Sequence, residues 1–278
     1  MKKLLLALTI LAGSVLPGMA QDYSKNAMSL AVERASWDYL LMDNTVSDRV
    51  LFLKSLLNDE NIIESDWKVV GDSTIETVLK RSLEVNNISF IEFLIDNGMP
   101  LSEYGRYIKF AREMWQEKQK EWSRELHDYP DHFFMEKYRT TEAMLSLLLT
   151  KAVMKTSQDF NTESKEILKN ILKDIDEGEW KLINKNSVVN TSVPFIKFLI
   201  SLGMPKSEFD EYHNAAKHEM DRYESLGSVQ GYERCRSIFD FFEEMKQEEM
   251  LRKAAEVHEN IGETLRKITE EKMQQLDN

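Results

Sequence analysis

Apolar residues recur at intervals of three and four along most of the chain, and this period predicts an all-α fold. A helix is predicted to open at Ser73, which we expect to be its N-cap, with Glu76 completing a capping box. Its apolar face is formed by Ile75, Val78, Leu79 and Leu83. Ten glycines and five prolines in 278 residues leave little room for a β-rich fold.

One phrase of this helical pattern occurs twice. Residues 90–107 read FIEFLIDNGMPLSEYGRY, and residues 195–212 read FIKFLISLGMPKSEFDEY, with 11 of 18 positions identical. Such a match within one chain predicts an internal duplication and a repeat architecture. Repeat proteins bury their faces against neighbouring repeats and present binding surfaces, so the phrase favours binding over catalysis.

Each copy of the phrase is predicted to end one helix and begin the next in the same way. A left-handed glycine closes the first helix, a proline prevents its continuation, and a serine caps the next helix. In chain order, these predicted structural caps are Gly98, Pro100, Ser102, Gly203, Pro205 and Ser207.

Weaker matches upstream of the phrase extend the duplication to about a hundred residues a copy, and they divide the chain into four parts. The predicted parts are a signal peptide (1–20), helical repeat copy 1 (21–135), copy 2 (136–230) and a long amphipathic C-terminal helix (231–278). The apolar stripe of this last helix, from Ile238 to Met273, drifts away from strict heptads. A long packed helix is therefore favoured over an ideal coiled coil.

Part of each copy resembles an ankyrin repeat, over about residues 74–101 and 187–204. The positions of the first segment that match the family pattern are Thr77, Leu79, Phe93, Leu94, Ile95 and Gly98. The duplication, however, has a period of over a hundred residues, whereas ankyrin repeats stack at about 33. The resemblance implies ankyrin-like helix pairs within a larger repeat, and a non-catalytic, protein-binding role.

The first twenty residues have the plan of a secretory signal peptide. Lys2 and Lys3 precede an apolar run from Leu4 to Leu16, and small residues precede a cut after Ala20. The run is too short to span a bilayer comfortably. We therefore expect an exported bacterial protein, located in the periplasm or outside the cell.

The formal net charge of −12 limits the partners of the protein. A nucleic-acid partner would need a basic face, and anionic lipid would repel the chain, so neither is expected. A protein partner is expected, and one version of this hypothesis is a basic partner. The single cysteine, Cys235, excludes an intrachain disulfide, and its apolar neighbours favour a packed thiol over a bridge between chains.

The weak candidates for a metal site are His127, Asp131 and His132, in the segment HDYPDH. A polar connecting loop is the favoured interpretation, because Pro130 interrupts the helix and no distant ligand cluster accompanies it. No motif for catalysis or for a cofactor occurs, so none is expected. The leading hypothesis is an exported helical-repeat protein that binds another protein. The alternatives are a metal-dependent envelope hydrolase using the loop from His127 to His132, and an oligomeric scaffold joined through the C-terminal helix.

Overall fold

The computed structural model describes residues 70–96, 99–125 and 132–276, and these form helices and turns without a strand. The prediction of an all-α fold is confirmed for this part of the chain. The predicted signal peptide lies outside the described residues, as do Gly98, His127 and Asp131.

The chain divides into two compact units, residues 1–184 and residues 185–278. The helices of the N-terminal unit are α1 (Asp72–Glu84), α2 (Ser89–Asp96), α3 (Leu101–Glu125), α4 (His132–Gln158), α5 (Thr162–Leu172) and α6 (Glu177–Leu182). The helices of the C-terminal unit are α7 (Lys185–Val188), α8 (Val193–Ser201), α9 (Phe209–Ser225) and α10 (Val229–Leu276), with a 3-10 turn (Lys206–Glu208) before α9. The predicted boundary between residues 135 and 136 falls inside α4, which continues through it.

The core of the N-terminal unit is built on the two long helices α3 and α4, which pack along each other. Helices α1 and α2 pack against α4, α5 packs against both long helices, and α6 packs on α4. The fully buried apolar side chains of the two long helices include Tyr107, Ile108, Ala111, Met144, Leu145, Leu148 and Leu149. Their spacing of three and four residues follows the period that predicts the helices.

The N-cap of the first described helix lies two residues earlier than the sequence predicts. Gly71 is the N-cap of α1, without a side-chain cap bond, so Ser73 lies in the first turn and not at the cap. The reason is a tertiary contact: the Arg106 guanidinium bonds the Val70 carbonyl and the Asp72 carboxylate, both at 2.6 Å. These bonds hold the chain where α1 starts.

The end of α8 has the conformation that the glycine at position 203 predicts. Gly203 has a φ of +101°, in the left-handed region. Its N–H donates to the Ile200 carbonyl at 3.0 Å, and the Met204 N–H donates to the Leu199 carbonyl at 3.3 Å. This pair of bonds is the Schellman motif, which satisfies carbonyls at a helix end.

One of these two bonds recurs 105 positions earlier. The Met99 N–H donates to the Leu94 carbonyl at 3.2 Å, as Met204 does to Leu199. Pro100 and Pro205 each accept the N–H of the residue three positions later, Glu103 and Glu208, at 3.0 Å. The carbonyl of each proline thus accepts the first hydrogen bond of the next helical segment. The predicted cap serines therefore lie inside that segment. These serines are Ser102 in α3 and Ser207 in the 3-10 turn.

The C-terminal unit is built on an antiparallel pair, α9 and α10. Gly231 at the start of α10 meets Tyr223 near the end of α9, and Lys246 Nζ reaches Asp210 Oδ1 at 2.8 Å near the start of α9. Helix α7 packs on α9, and α8 packs on α10. Because α9 has 17 residues and α10 has 48, much of α10 extends beyond its partner.

Candidate protein-binding surface

Helix α10 consists of a packed part and an exposed part. In the packed part, Cys235, Ile238 and Phe242 are fully buried, and His213 Nε2 of α9 lies 2.6 Å from Glu243 Oε1. Farther along α10, Lys206 Nζ lies 3.7 Å from Glu249 Oε2. Beyond residue 249, every described side chain up to residue 267 is exposed. We call residues 250–267 the tail.

The tail exposes large apolar side chains that a soluble helix normally buries. Met250 is 70% exposed, Leu251 71%, Val257 56% and Ile261 55%. With Ala254, they follow the helical spacing of one face, and we call these five residues the tail stripe. A contiguous exposed apolar patch on a folded protein is typical of an interaction site.

The polar side of the tail supports the helix. Lys253 Nζ lies 3.2 Å from Glu249 Oε1, and Arg252 Nε lies 4.0 Å from Glu256 Oε1, each pair one turn apart. The hydrogen bond from Lys253, together with Lys206, holds the pKa of Glu249 below its usual value. Exposed pairs of this kind stabilise a helix by only about 0.3–0.5 kcal/mol each. They sustain the helix, but they do not bury the tail stripe.

A groove of about 410 Å³ between α3 and α5 is a second candidate surface, in the N-terminal unit. It is lined by Ser102, Gly105, Ile108, Lys109, Arg112, Ile167, Asn170 and Ile171. The Arg112 guanidinium is paired with Glu179, whose side chain is 1% exposed. The lining contains no histidine, cysteine or carboxylate that could serve as a base or a metal ligand. The groove therefore offers a surface for contact and no catalytic group of that kind.

The predicted metal loop lies mostly outside the described residues. His127 and Asp131 fall there, and His132 begins α4. Within the part of the chain that the structure describes, no group of three histidine, cysteine, aspartate or glutamate side chains could hold a metal ion. The same part contains no helix long and apolar enough to cross a membrane.

Cys235 is a packed thiol. Its Sγ donates toward the Val189 carbonyl at 3.5 Å, and its side chain is fully buried. Burial, with a smaller contribution from Glu219, raises the pKa of the Cys235 thiol to about 11. A thiol in this state is neutral at pH 7, so it is a poor nucleophile.

Two buried carboxylates, Glu103 and Glu208, also have structural partners. Arg106 Nη1 lies 2.7 Å from Glu103 Oε2, and Lys185 Nζ lies 2.8 Å from Glu208 Oε2. Each follows a proline that opens a helical segment, and the sequence places each acid beside a predicted cap serine but does not predict its burial or its partner. Their common spacing of three residues after Pro100 and Pro205 is the signal that could have found them.

No known protein family, curated protein or solved structure matches this chain.

Proposed function

We propose that the chain is an exported helical-repeat protein that acts by binding another protein, without catalysis. The tail stripe is the observation that carries this proposal. Fully burying a large apolar side chain contributes about 1.5–3 kcal/mol, so a partner that covers Met250, Leu251, Val257 and Ile261 would gain several kcal/mol. The tail is a preformed helix, so a partner with an apolar groove can bind it as an amphipathic helix.

The proposed repeat architecture has separate support. The turn bonds at Leu94–Met99 and Leu199–Met204 are 105 positions apart, and so are the two proline bonds. The short helices α1 and α2, which pack together, are compatible with an ankyrin-like pair. Export is supported by the predicted signal peptide, and N-terminal sequencing of the mature protein should find Gln21 at its start.

The test of binding is capture of a partner by the purified mature protein from an extract of the bacterial envelope. The double variant Val257→Glu/Ile261→Glu should lose the partner, because it places charge in the tail stripe. Glutamate is a good helix former, so the tail should keep its helix. The far-UV circular dichroism of the variant should therefore match that of the parent.

The matched control is Leu226→Glu/Val229→Glu, which makes the same chemical change at two exposed apolar residues outside the tail. Leu226 is 65% exposed and Val229 is 72% exposed. This control should retain the partner. Equal loss from both double variants would contradict the proposal, as would capture that neither change affects. A basic partner would also be released more readily as salt is raised, because its charge attraction is screened.

A further inference from the structure

One edge of the tail stripe carries charges in a definite order. The residues of this charged edge are Glu249, Lys253, Glu256, Asn260, Glu263 and Lys267. They are spaced by four and three residues in turn, so they lie along the same side of α10. All six belong to the described part of the helix, and from Lys253 onward all are exposed.

The order of charges complements itself when the chain direction is reversed. In chain order, the signs are negative, positive, negative, neutral, negative and positive. An antiparallel copy centred near His258 sets Glu249 against Lys267 and Lys253 against Glu263, each twice by the two-fold symmetry. Glu256 then meets the neutral Asn260. In a parallel copy in register, the charged edges of the two helices lie on opposite sides of the contact, so these charge pairs do not form.

We infer that the partner of the tail is a second copy of this chain, bound antiparallel with its two-fold axis near His258. This inference rests on the proposed function, because it names the partner that would cover the tail stripe. The same alignment sets Ala255 against Ile261 and Ala254 against Gly262, so each of these two pairs contains at least one small residue. Small residues let two helices approach closely.

The net charge of the tail permits this contact between two acidic molecules. Residues 250–267 contain four basic and three acidic side chains, while the whole chain has a net charge of −12. Each tail thus has a net charge of only +1, so two tails repel each other far less than two molecules of net charge −12 would. Charges at the edge of such a contact select partner and orientation more than they add affinity.

The size of the tail sets the expected strength. Eighteen helical residues span about 27 Å, and a contact face about 10 Å wide gives about 270 Å² on each chain. The total is well below the roughly 1,200 Å² of a standard stable interface. The expected dimer is weak and reversible, with a dissociation constant on the order of 10–100 μM.

Cross-linking tests the antiparallel orientation, using a short bifunctional thiol reagent on variants of the mature chain at about 100 μM. His258→Cys lies near the two-fold axis and should cross-link efficiently with its mate. Met250→Cys should not, because the two copies of residue 250 lie about 24 Å apart along the helices. The parent chain, whose thiol is buried, gives the background. Cross-linking at both positions would indicate a parallel pair, and cross-linking at neither would indicate no pair; either result overturns the inference.

Sedimentation equilibrium tests the charged edge. Lys253→Glu and Glu263→Lys should each weaken the dimer about tenfold, and the double variant that exchanges these charges should restore it. Arg266→Glu is the matched control, because it makes the same charge change at an exposed residue about 100° around α10 from the charged edge. It should leave the dissociation constant unchanged. Equal weakening by Arg266→Glu, or no rescue in the double variant, would overturn the inference.

The two proposals fail in different ways. A parent chain that stays monomeric up to several hundred micromolar, while the envelope extract still supplies a partner that Val257→Glu/Ile261→Glu loses, overturns self-association and leaves the proposed function standing. A dimer that is unaffected by Val257→Glu/Ile261→Glu overturns the role of the tail stripe itself.

Discussion

Replacing Gly203 with alanine tests the turn after α8. At this residue, the energetic cost of the backbone conformation can be measured separately from the cost of steric crowding. Its φ is +101°, and a Cβ built on it meets no atom within 4 Å. Alanine therefore introduces no clash. Its cost is that of holding an L residue in the left-handed region, and we expect the free energy of unfolding to fall by about 1–2 kcal/mol.

The assay is urea denaturation of the mature protein, followed by far-UV circular dichroism. With a slope of about 2 kcal/mol per molar urea, the expected loss lowers the midpoint by about 0.5–1 M. Gly203→Asn is the informative comparison. Asparagine is larger than alanine, but it adopts the left-handed region more readily, so its midpoint should lie between those of alanine and the parent.

The order of the three midpoints decides between the explanations. If asparagine costs as much as alanine or more, crowding and not backbone conformation limits the site. A midpoint for Gly203→Ala equal to that of the parent would refute the left-handed assignment.

Two further predictions concern the pairing of α9 and α10. Gly231→Ala should lower the urea midpoint by an amount equivalent to about 1–3 kcal/mol, because its Cβ would lie 2.4 Å from Tyr223 Cδ1. Gly262→Ala, in the same helix but with open surroundings, should not lower it. The Cys235 thiol should react slowly with an aromatic disulfide reagent from pH 7 to pH 9, since its raised pKa of about 11 and its burial keep it neutral and inaccessible. Unfolding in urea should make it react rapidly, and fast labelling of the native protein would contradict the packed-thiol assignment.

The features that the sequence predicts well are local ones. The all-α fold follows from apolar spacing, and the left-handed conformation of Gly203 follows from a glycine two residues before a proline. The long C-terminal helix, predicted over 231–278, is α10, at Val229–Leu276. Each of these depends on residues within one or two turns, which a single sequence displays directly.

The features that the sequence misses depend on distant partners. The start of α1 is shifted by Arg106, which lies 34 residues from Asp72 in the chain. Nothing near Ser73 indicates this contact, so local cap preference alone places the N-cap two residues too late. The buried pair of Arg112 and Glu179 is likewise formed by residues 67 positions apart. The predicted boundary at residue 135 comes from aligning the copies, which says little about where a helix ends.

The exposed tail stripe continues the apolar pattern of α10, but it lies on a different face. Ile238 and Phe242 are fully buried, and the Phe242 ring contacts α9. The positions of these two residues differ from those of Met250, Val257 and Ile261 by about a quarter turn at about 100° per residue. In the sequence, the buried residues and the tail stripe fall into a single apolar stripe whose direction drifts along the helix. A longer α9 would run along the wrong side of the tail and would leave the stripe uncovered. The tail stripe is therefore not an incomplete part of the core of the C-terminal unit, and its apolar residues are better explained by a separate binding partner.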